Sequence, residues 1–273
     1  MGNSLKIRWI EVEEMKLKGK VAVITGGGRG LGKASAMEMA KEGASVVILS
    51  RTLSELKVTA KAIKEIGGEV IFLKADVSKP RDIKRVVDQA ISRYGKIDIL
   101  MNNAAVIGPV KPLFKVRERE WNEIFHINLR GAFLFSKWVI PHMIEQMKGK
   151  IVNVISGLGE IVMPPFGPYS ITKAGLIHLT RLLAEELKDF RIQVNGLDPG
   201  VMDTGMQEEI RELGSGILGD KMYREFLRWK ERGELKAPEK VARLALFLAS
   251  EQSDAITGKT GTETHYRRFG YRG

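Results

Sequence analysis

Short apolar runs alternate along the chain with longer stretches in which apolar residues recur at helical spacing. The runs are rich in Val, Ile and Leu and end at glycine or polar residues, which is typical of buried parallel strands. They predict strands over residues 20–25, 45–49, 69–74, 97–101, 150–155 and 191–196. This alternation predicts an α/β fold, in which a doubly wound parallel sheet carries helices on both faces.

The amphipathic stretches predict helices over residues 31–42, 53–66, 80–94, 118–147, 169–188 and 238–250. The helix over 118–147 is expected to bend or break near Gly131 and Pro141, because proline cannot donate a helix hydrogen bond. Asn128 lies inside this helix. Asparagine is a poor helix former, so we expect a specific role for its side chain.

Residues 201–236 do not continue the alternation. This stretch carries glycines between two helical segments and an apolar face that includes Met206, Phe226 and Trp229. We interpret it as a lid insertion over the substrate, with a contact between subunits as the alternative. We expect a single domain over residues 17–273, preceded by a short N-terminal extension, residues 1–16.

Composition narrows the class of protein. The 273 residues, of which 44% are hydrophobic, suffice for one α/β domain with a substantial core. Membrane-spanning and secretory-signal patterns are lacking, so a cytoplasmic protein with no membrane partner is expected. The absence of cysteine excludes disulfides and thiolate chemistry. The four histidines lack metal-ligand spacing, so no metal site is expected.

The net charge of +11 raises the hypothesis of nucleic-acid binding. The Lys and Arg residues are spread along the predicted helices with Glu between them, apart from a cluster at Arg267, Arg268 and Arg272. We therefore favour a solvated basic surface, with no specific nucleic-acid partner. Such a surface also favours anionic cofactors and substrates.

Two groups of residues carry candidate chemistry. Strand 20–25 runs into a glycine cluster that opens a helix, an arrangement that binds phosphate at the helix N-terminus; a glycine-rich turn without a ligand is the alternative. Tyr169 and Lys173 are four residues apart, hence on one helix face, where an ammonium favours the phenolate and lowers the tyrosine pKa. Ser156 follows strand 150–155 and is placed to hydrogen-bond a substrate oxygen. Alone, the Tyr–Lys spacing fits a solvated amphipathic helix better.

The candidate residues belong to a longer series of motifs. The series is Thr-Gly-x-x-x-Gly-x-Gly at 25–32, Asp76-Val77, Asn-Asn-Ala-Ala at 102–105, Asn128, Ser156, Tyr169-x-x-x-Lys173 and Pro199-Gly200. On these motifs the chain from about residue 17 to 258 resembles the short-chain dehydrogenase/reductase family. The resemblance implies a Rossmann-like fold. It also implies an oxidoreductase that moves a hydride between a nicotinamide cofactor and a carbonyl or secondary alcohol.

The resemblance implies roles for single residues. Tyr169 would exchange the proton and Ser156 would orient the oxygen. Lys173 would bind the nicotinamide ribose and keep the tyrosine pKa low, and Asn128, also catalytic, would hold a water that links Lys173 to solvent. Asp76 is expected near the adenine ring. The implied cofactor-binding residues are Gly26, Arg29, Gly30, Leu31, Gly32, Ser50, Arg51, Asp76, Val77, Asn103, Ala104, Tyr169, Lys173, Pro199, Gly200, Val201 and Thr204.

Two places depart from the family pattern. Ala105 stands where the family usually has glycine. The stretch 257–265 is polar where the family has an apolar strand, which puts the last strand, and the tetramer contact built on it, in doubt. We still predict at least a homodimer, through helices 118–147 and 169–188, with a homotetramer as the family's usual form.

NADP(H) is predicted in preference to NAD(H). Ser50 occupies the end of the second strand, where an NAD-binding sheet carries an acid that repels a 2′-phosphate. Arg51 follows it and Arg29 lies in the glycine loop, and a guanidinium can grip a phosphate with paired hydrogen bonds. The alternative is that both arginines are merely solvated.

The substrate is predicted only by class. Leu158, Ile161, Val162, Met163 and Phe166 give an apolar pocket rim, so a ketone or keto-ester with an apolar body is the first hypothesis. A 3-oxoacyl thioester reductase or a sugar or polyol dehydrogenase is the alternative. A binding protein that senses the dinucleotide is less favoured, because the serine, the tyrosine and the lysine are all present.

Overall fold

Parallel strands form one sheet in the computed structural model, which describes residues 15–273. The strands are β1 (Val21–Thr25), β2 (Ser45–Ser50), β3 (Val70–Lys74), β4 (Ile99–Asn102), β5 (Gly149–Val154), β6 (Ile192–Leu197) and β7 (Thr260–Gly261). Their order is β3-β2-β1-β4-β5-β6-β7, so the chain reverses its direction across the sheet between β1 and β4. The predicted doubly wound parallel sheet is confirmed.

The helices are α1 (Gly30–Lys41), α2 (Leu53–Glu65), α3 (Pro80–Tyr94), α4 (Glu118–Phe125), α5 (Gly131–Glu145), α6 (Gly167–Glu186), α7 (Gly205–Glu212), α8 (Ser215–Leu218), α9 (Asp220–Glu231), α10 (Pro238–Ala249) and α11 (Glu263–Tyr266). The predicted N-terminal extension lies outside the described residues, apart from its last two. Of these, Lys16 donates its backbone N–H to the Glu42 carboxylate at 2.9 Å.

Alternate side chains of the strands enter separate cores on the two faces of the sheet. In β1, Ala22 and Ile24 pack with residues of α1, α2 and α10, whereas Val21 and Val23 pack with residues of α3 and α5. This follows from the period of two in a strand, which sends successive side chains to opposite faces. Both faces are therefore buried, as the near-continuous apolar runs predicted.

The predicted helix over 118–147 is three segments. A π-helical turn, His126–Arg130, separates α4 from α5, and α5 continues through Pro141. The break therefore precedes Gly131, and the helix is not broken at Pro141. The π turn contains Asn128, whose side chain forms hydrogen bonds with main-chain groups of a neighbouring loop.

The observed strand bounds differ from the predicted ones by one or two residues. β4 begins at residue 99 rather than 97. β6 begins at residue 192 because Arg191 is in the left-handed region, with φ of 54°. The doubted last strand exists as the short β7, which pairs in parallel with β6. Its polar sequence does not prevent this, because the backbone makes the bonds: Gly196 N–H donates to the Lys259 carbonyl at 2.8 Å.

Residues 201–236, the lid segment, form α7, α8 and α9 and leave the sheet at the end of β6. Its two ends are joined by a parallel bridge between Met202 and Lys236. Phe226 of the lid segment packs with Phe166, at a ring-centroid distance of 6.3 Å, and both belong to an apolar cluster separate from the two sheet cores. The lid segment therefore covers the carboxyl edge of the sheet near α6.

Candidate active site

A cavity of about 1450 Å³ runs along the carboxyl ends of the strands, where open α/β sheets bind ligands. Most of the predicted site residues line it: Gly26, Arg29, Gly30, Leu31, Ser50, Arg51, Asp76, Val77, Asn103, Ala104, Ser156, Tyr169, Lys173, Pro199, Gly200, Val201 and Thr204. Gly32 and Asn128 do not line it. They lie behind its wall, one in α1 and one in the π turn.

The glycine loop leaves its backbone open to the cavity. Gly30 has a φ of +53°, and the atom nearest to the place that a β-carbon would take there is Thr204 Cγ2, at 3.5 Å. A β-carbon at Gly32 would lie 2.2 Å from the Gly26 carbonyl oxygen, so a side chain there is excluded. The N-terminus of α1 follows at once, with backbone N–H groups that have no partner within the helix. This cradle fits the phosphates of a dinucleotide.

Thr25 ties the glycine loop to the end of β4. Its hydroxyl accepts the backbone N–H groups of Asn103 and Ala104, both at 2.9 Å, and the Asn103 side-chain amide donates to the Thr25 carbonyl at 2.8 Å. The resemblance implied that Asn103 binds the cofactor, and in this structure its side-chain amide holds the glycine loop. Thr25 was in the motif but received no role from the sequence.

The far end of the cavity carries the predicted phosphate-selecting residues. Ser50 ends β2 and bonds to the backbone of Thr52, and Arg51 is exposed beside it. Burial alone would raise the pKa of Asp76, but hydrogen bonds from Ser78 and the positive charge of Arg51 bring that pKa below its ordinary value. Arg51 is therefore close enough to act on Asp76.

Arg29 is not simply solvated. Its guanidinium lies 3.4 Å from Glu209 of α7 and 4.0 Å from Glu55 of α2. Glu55 lines the same end of the cavity and was missed by the sequence reasoning. Its position in the first turn of the helix after β2 could have identified it from the sequence. The Arg29 guanidinium, which was predicted to bind a phosphate, therefore interacts with Glu55 of the cavity lining and with Glu209 of the lid segment.

Ser156, Tyr169 and Lys173 meet at the wall of the cavity below the lid segment. Ser156 follows β5, and its hydroxyl accepts the Leu158 N–H at 3.2 Å. Tyr169 lies in the first turn of α6 and Lys173 one turn later, both buried. The Lys173 nitrogen lies 5.5 Å from the Tyr169 ring centroid. The residues predicted to act together are therefore brought together, across a sequence separation that only the fold closes.

Burial controls the protonation of this pair. It raises the pKa of Tyr169 to about 12, with Ser156 opposing the rise and Asp198 adding to it. It lowers the pKa of Lys173 to about 8, an effect that the negative charge of Asp198 partly opposes. The predicted lowering of the tyrosine pKa is wrong for the protein alone, because the desolvation of the phenolate outweighs the hydrogen bond from Ser156.

Asn128 braces the loop that follows β4. Its Oδ1 accepts the Val106 N–H and its Nδ2 donates to the Val106 carbonyl, both at 2.9 Å. Nδ2 also lies 3.2 Å from the Thr172 hydroxyl, next to Lys173 in α6. The side chain therefore joins the π turn, the loop and α6.

A small cavity of about 10 Å³ lies behind the active-site wall and is lined by Asn128, Lys173 and Asn102 among others. That is about the size that one water requires. Asn102 donates to Asn153 at 2.8 Å and so joins β4 to β5, while its buried Oδ1 has no protein partner within residues 15–273.

The substrate end of the cavity is mostly apolar. Its wall is formed by Ile107, Leu158, Met163, Phe166, Ile210, Phe226 and Trp229, contributed by two loops and the lid segment. Asp198 is an exception: it follows β6 and its carboxylate lines the same cavity. It appeared in the sequence only as the residue before Pro199. The signal was a charged side chain at the carboxyl end of a buried strand.

Neither a metal-binding cluster nor a membrane-spanning helix is found in the part of the chain that the structure describes. Over residues 15–273 no three His, Asp or Glu side chains are grouped so that they could hold a metal ion. None of the helices described there is both long enough and apolar enough to span a bilayer.

The sequence matches the family model described as short chain dehydrogenase over residues 20–213. It is 36% identical over 245 residues to the 3-oxoacyl-(acyl-carrier-protein) reductase FabG of Thermotoga maritima, a match that covers 90% of this chain and 96% of that protein. It is 34% identical over 250 residues to the (2S)-((R)-hydroxy(phenyl)methyl)succinyl-CoA dehydrogenase subunit BbsD of Thauera aromatica, covering 90% and 95%. Among solved structures, levodione reductase superposes with a TM-score of 0.84 at 28% identity, covering 93% of this chain and 100% of that one.

Proposed function

The chain belongs to the short chain dehydrogenase family, and we propose that it is an NADP(H)-dependent oxidoreductase acting on a carbonyl or secondary-alcohol carbon. The observation that carries this proposal is the meeting of Ser156, Tyr169 and Lys173 in one cavity whose other end is a glycine-lined phosphate cradle. We also propose that residues 17–273 form one catalytic unit.

The bound nicotinamide supplies or accepts the hydride. The protein residues manage the substrate oxygen. Tyr169 is protonated at neutral pH, since burial raises its pKa to about 12, so its hydroxyl is a proton donor to a carbonyl oxygen that gains negative charge. Ser156 donates a second hydrogen bond and orients that oxygen. Lys173 carries the positive charge that stabilises the phenolate as it forms.

Asn128 supports this set from behind. We propose that the small cavity between Asn128 and Lys173 holds one water, through which Lys173 exchanges protons with solvent. The Oδ1 of Asn102, which has no partner among the residues described, would accept a hydrogen bond from that water. The water implied by the family resemblance is thereby assigned to this cavity and to a hydrogen bond with Asn102 Oδ1.

The preference for NADP(H) is supported by the end of β2. Ser50 is neutral and Arg51 is exposed beside the cavity, without a carboxylate in salt-bridge range among the residues described. Glu55 works against a phosphate, but Arg29 offsets its charge at 4.0 Å. The remaining implied contacts, including Leu31, Asp76, Val77, Val201 and Thr204, line the cavity between these two ends.

For the substrate we propose a ketone or keto-ester with an apolar body, because the wall near Tyr169 is apolar. A 3-oxoacyl thioester is the second candidate, since the relative in Thermotoga maritima is named as a reductase of that class. Sugars and polyols fit the apolar wall less well.

We also propose at least a homodimer. Phe133 of α5 and Ile171 and Leu182 of α6 are exposed large apolar side chains on the predicted contact helices. Burial of such residues against a second subunit is favourable. A tetramer through the edge strand is less supported, because β7 is two residues long and polar.

The test is a screen of carbonyl substrates with purified protein, in which the loss of NADPH or NADH absorbance is followed. Turnover of ketones with NADPH supports the proposal. Binding of a dinucleotide without turnover of any carbonyl or alcohol would instead support a sensor protein. Salt-sensitive, sequence-independent DNA binding would mean only that the surface is basic.

A further inference from the structure

Asp198 holds a carboxylate in an otherwise apolar part of the active-site cavity. It directly follows β6, and one carboxylate oxygen, Oδ1, accepts the Gly200 N–H at 2.9 Å. The other oxygen, Oδ2, lies 3.3 Å from the position that a β-carbon of Gly157 would take. Gly157 is the residue after Ser156, so this oxygen is beside the group that orients the substrate.

Within residues 15–273, Oδ2 has no hydrogen-bond donor, and no Lys, Arg or His nitrogen lies within 4.0 Å of the carboxylate. The backbone bond to Gly200 fixes the side chain, so Oδ2 cannot turn away without breaking it. Its charge acts on both reactive neighbours, since it raises the pKa of Tyr169 and of Lys173. The carboxylate is therefore held close to the reaction centre with one acceptor unused.

Asp198 is half-buried and lines the cavity, so a bound substrate can supply a donor to this oxygen in place of solvent. We propose that Asp198 determines substrate specificity, its Oδ2 accepting a hydrogen bond from a hydroxyl on the carbon next to the reacting carbonyl. The preferred substrates are then α-hydroxy ketones, or the corresponding vicinal diols in the oxidative direction, with apolar bodies. This rests on the proposed function and narrows its substrate class.

The position of Gly157 explains why the hydroxyl is adjacent to the carbonyl. Ser156 bonds the reacting oxygen, and Oδ2 lies against the next residue along the chain. The proposed donor is therefore placed within one or two bonds of the carbonyl carbon of a substrate bound at Ser156. Gly157 also leaves room for the carboxylate, since any side chain there would be in contact with it.

Benzoin and deoxybenzoin are matched probes, because they share an apolar body and differ by the hydroxyl next to the carbonyl. For the wild type with NADPH we expect kcat/KM for benzoin to exceed that for deoxybenzoin by about tenfold or more, the effect of one hydrogen bond to a charged acceptor. Calorimetric titration of both probes into the cofactor-free protein gives a second readout that needs no turnover. We expect benzoin to bind more tightly.

Asp198→Asn is the informative variant. Its Oδ1 can keep the Gly200 bond, while an NH₂ group takes the place of Oδ2 and turns the acceptor into a donor. We expect the preference for benzoin over deoxybenzoin to fall to about twofold or less. Asp198→Ala should also lose the preference. Glu160→Gln, which removes a carboxylate near Ser156 that pairs with Arg181, is the control and should keep it.

The outcomes separate the role of Asp198 from the proposed function. Turnover of either ketone with NADPH supports the proposed function whatever Asp198 does. Equal kcat/KM for the two probes in the wild type, or a full benzoin preference in a folded Asp198→Asn variant, would overturn the role of Asp198. If neither probe is turned over, equal or absent binding in the titrations overturns it, and tighter binding of benzoin that is lost in Asp198→Asn sustains it.

Discussion

Lys173 donates a 2.7 Å hydrogen bond from its side-chain nitrogen to the main-chain carbonyl of Val154. The bond joins α6 to the end of β5, two residues before Ser156. It therefore fixes the lysine relative to the serine, although 17 positions separate them in the sequence. Among the residues described, Lys173 has no carboxylate within salt-bridge range, so its buried charge is favoured only by the Val154 carbonyl and by the more distant charge of Asp198.

Because its charge is buried, we predict that Lys173 lowers the free energy of unfolding of the protein. We expect Lys173→Met to abolish turnover yet raise the free energy of unfolding at pH 7 by about 1–3 kcal/mol. A pKa lowered from 10.5 to about 8 corresponds to about 3 kcal/mol, of which the lost bond to Val154 offsets about 1. Urea unfolding of the two proteins measures the difference.

The stability difference between Lys173→Met and the wild type should also change with pH in a defined direction. Below pH 8 the ammonium is present in both the folded and the unfolded chain, so its full cost is felt. Between pH 8 and 10.5 the folded state has lost the proton that the unfolded state keeps, so the wild type gains stability as the pH rises. The advantage of Lys173→Met should shrink by about pH 9.5. Lys61→Met, at an exposed site, is the control; an equal gain there, or a pH-independent gain, contradicts this explanation.

Replacement of Tyr169 removes the proposed proton donor. We expect Tyr169→Phe to lose almost all turnover, because no other phenol lines that end of the cavity among the residues described, while NADPH affinity changes by no more than a few-fold. Steady-state kinetics and fluorescence titration measure the two effects. Tyr94→Phe, in α3 away from the cavity, should keep wild-type turnover. Substantial activity in Tyr169→Phe would refute the assignment.

Asn128 is predicted to be structural as well as catalytic. Asn128→Ala removes three hydrogen bonds and leaves the Val106 N–H and carbonyl without partners. We expect a loss of about 2–4 kcal/mol in unfolding free energy. Chemical denaturation checks this, with exposed Asn122→Ala of α4 as the control. A loss below about 1 kcal/mol for Asn128→Ala would mean that the π turn does not depend on this side chain.

Cofactor preference is tested at the end of β2. Arg51→Ala should weaken NADPH by roughly one to two orders of magnitude, the value of a charge-assisted phosphate contact, and leave NADH nearly unchanged. Ser50→Asp should shift the preference toward NADH by adding repulsion. Kinetics with both cofactors measure this, and Arg93→Ala, at the far end of α3, is the control. Equal or better use of NADH by the wild type would overturn the NADP(H) proposal.

The oligomer is tested on α5 and α6. Light scattering at micromolar concentration should show at least a dimer, and Phe133→Asp should shift it toward monomer because a charge replaces an apolar contact. Val58→Asp, an exposed apolar site on α2 at the opposite face of the sheet, should leave the assembly unchanged. A monomeric wild type would contradict the proposal.

The order of strands and helices, and the edge of the sheet on which the site lies, follow from local sequence patterns. Each buried run is followed by a polar or glycine residue, and parallel β–α units place all those residues at one edge. These patterns were therefore enough to predict that the glycine loop, Ser156 and Pro199 line one cavity. They also placed Tyr169 and Lys173 on one helix face, since that depends only on a spacing of four.

Properties that depend on residues far apart in the sequence could be determined only from the tertiary structure. The pKa of Tyr169 rises rather than falls because the packing around it removes water. Arg29 contacts Glu209, 180 positions away, a partner that neither the phosphate-binding prediction nor the solvated alternative included. β7 forms because its backbone pairs with that of β6. The apolar content of the sequence does not predict this pairing. Asp198 became a candidate specificity residue only once its free oxygen was seen beside Gly157. Local spacing sets which residues share a face, whereas desolvation and partnering are set by which elements the fold packs together.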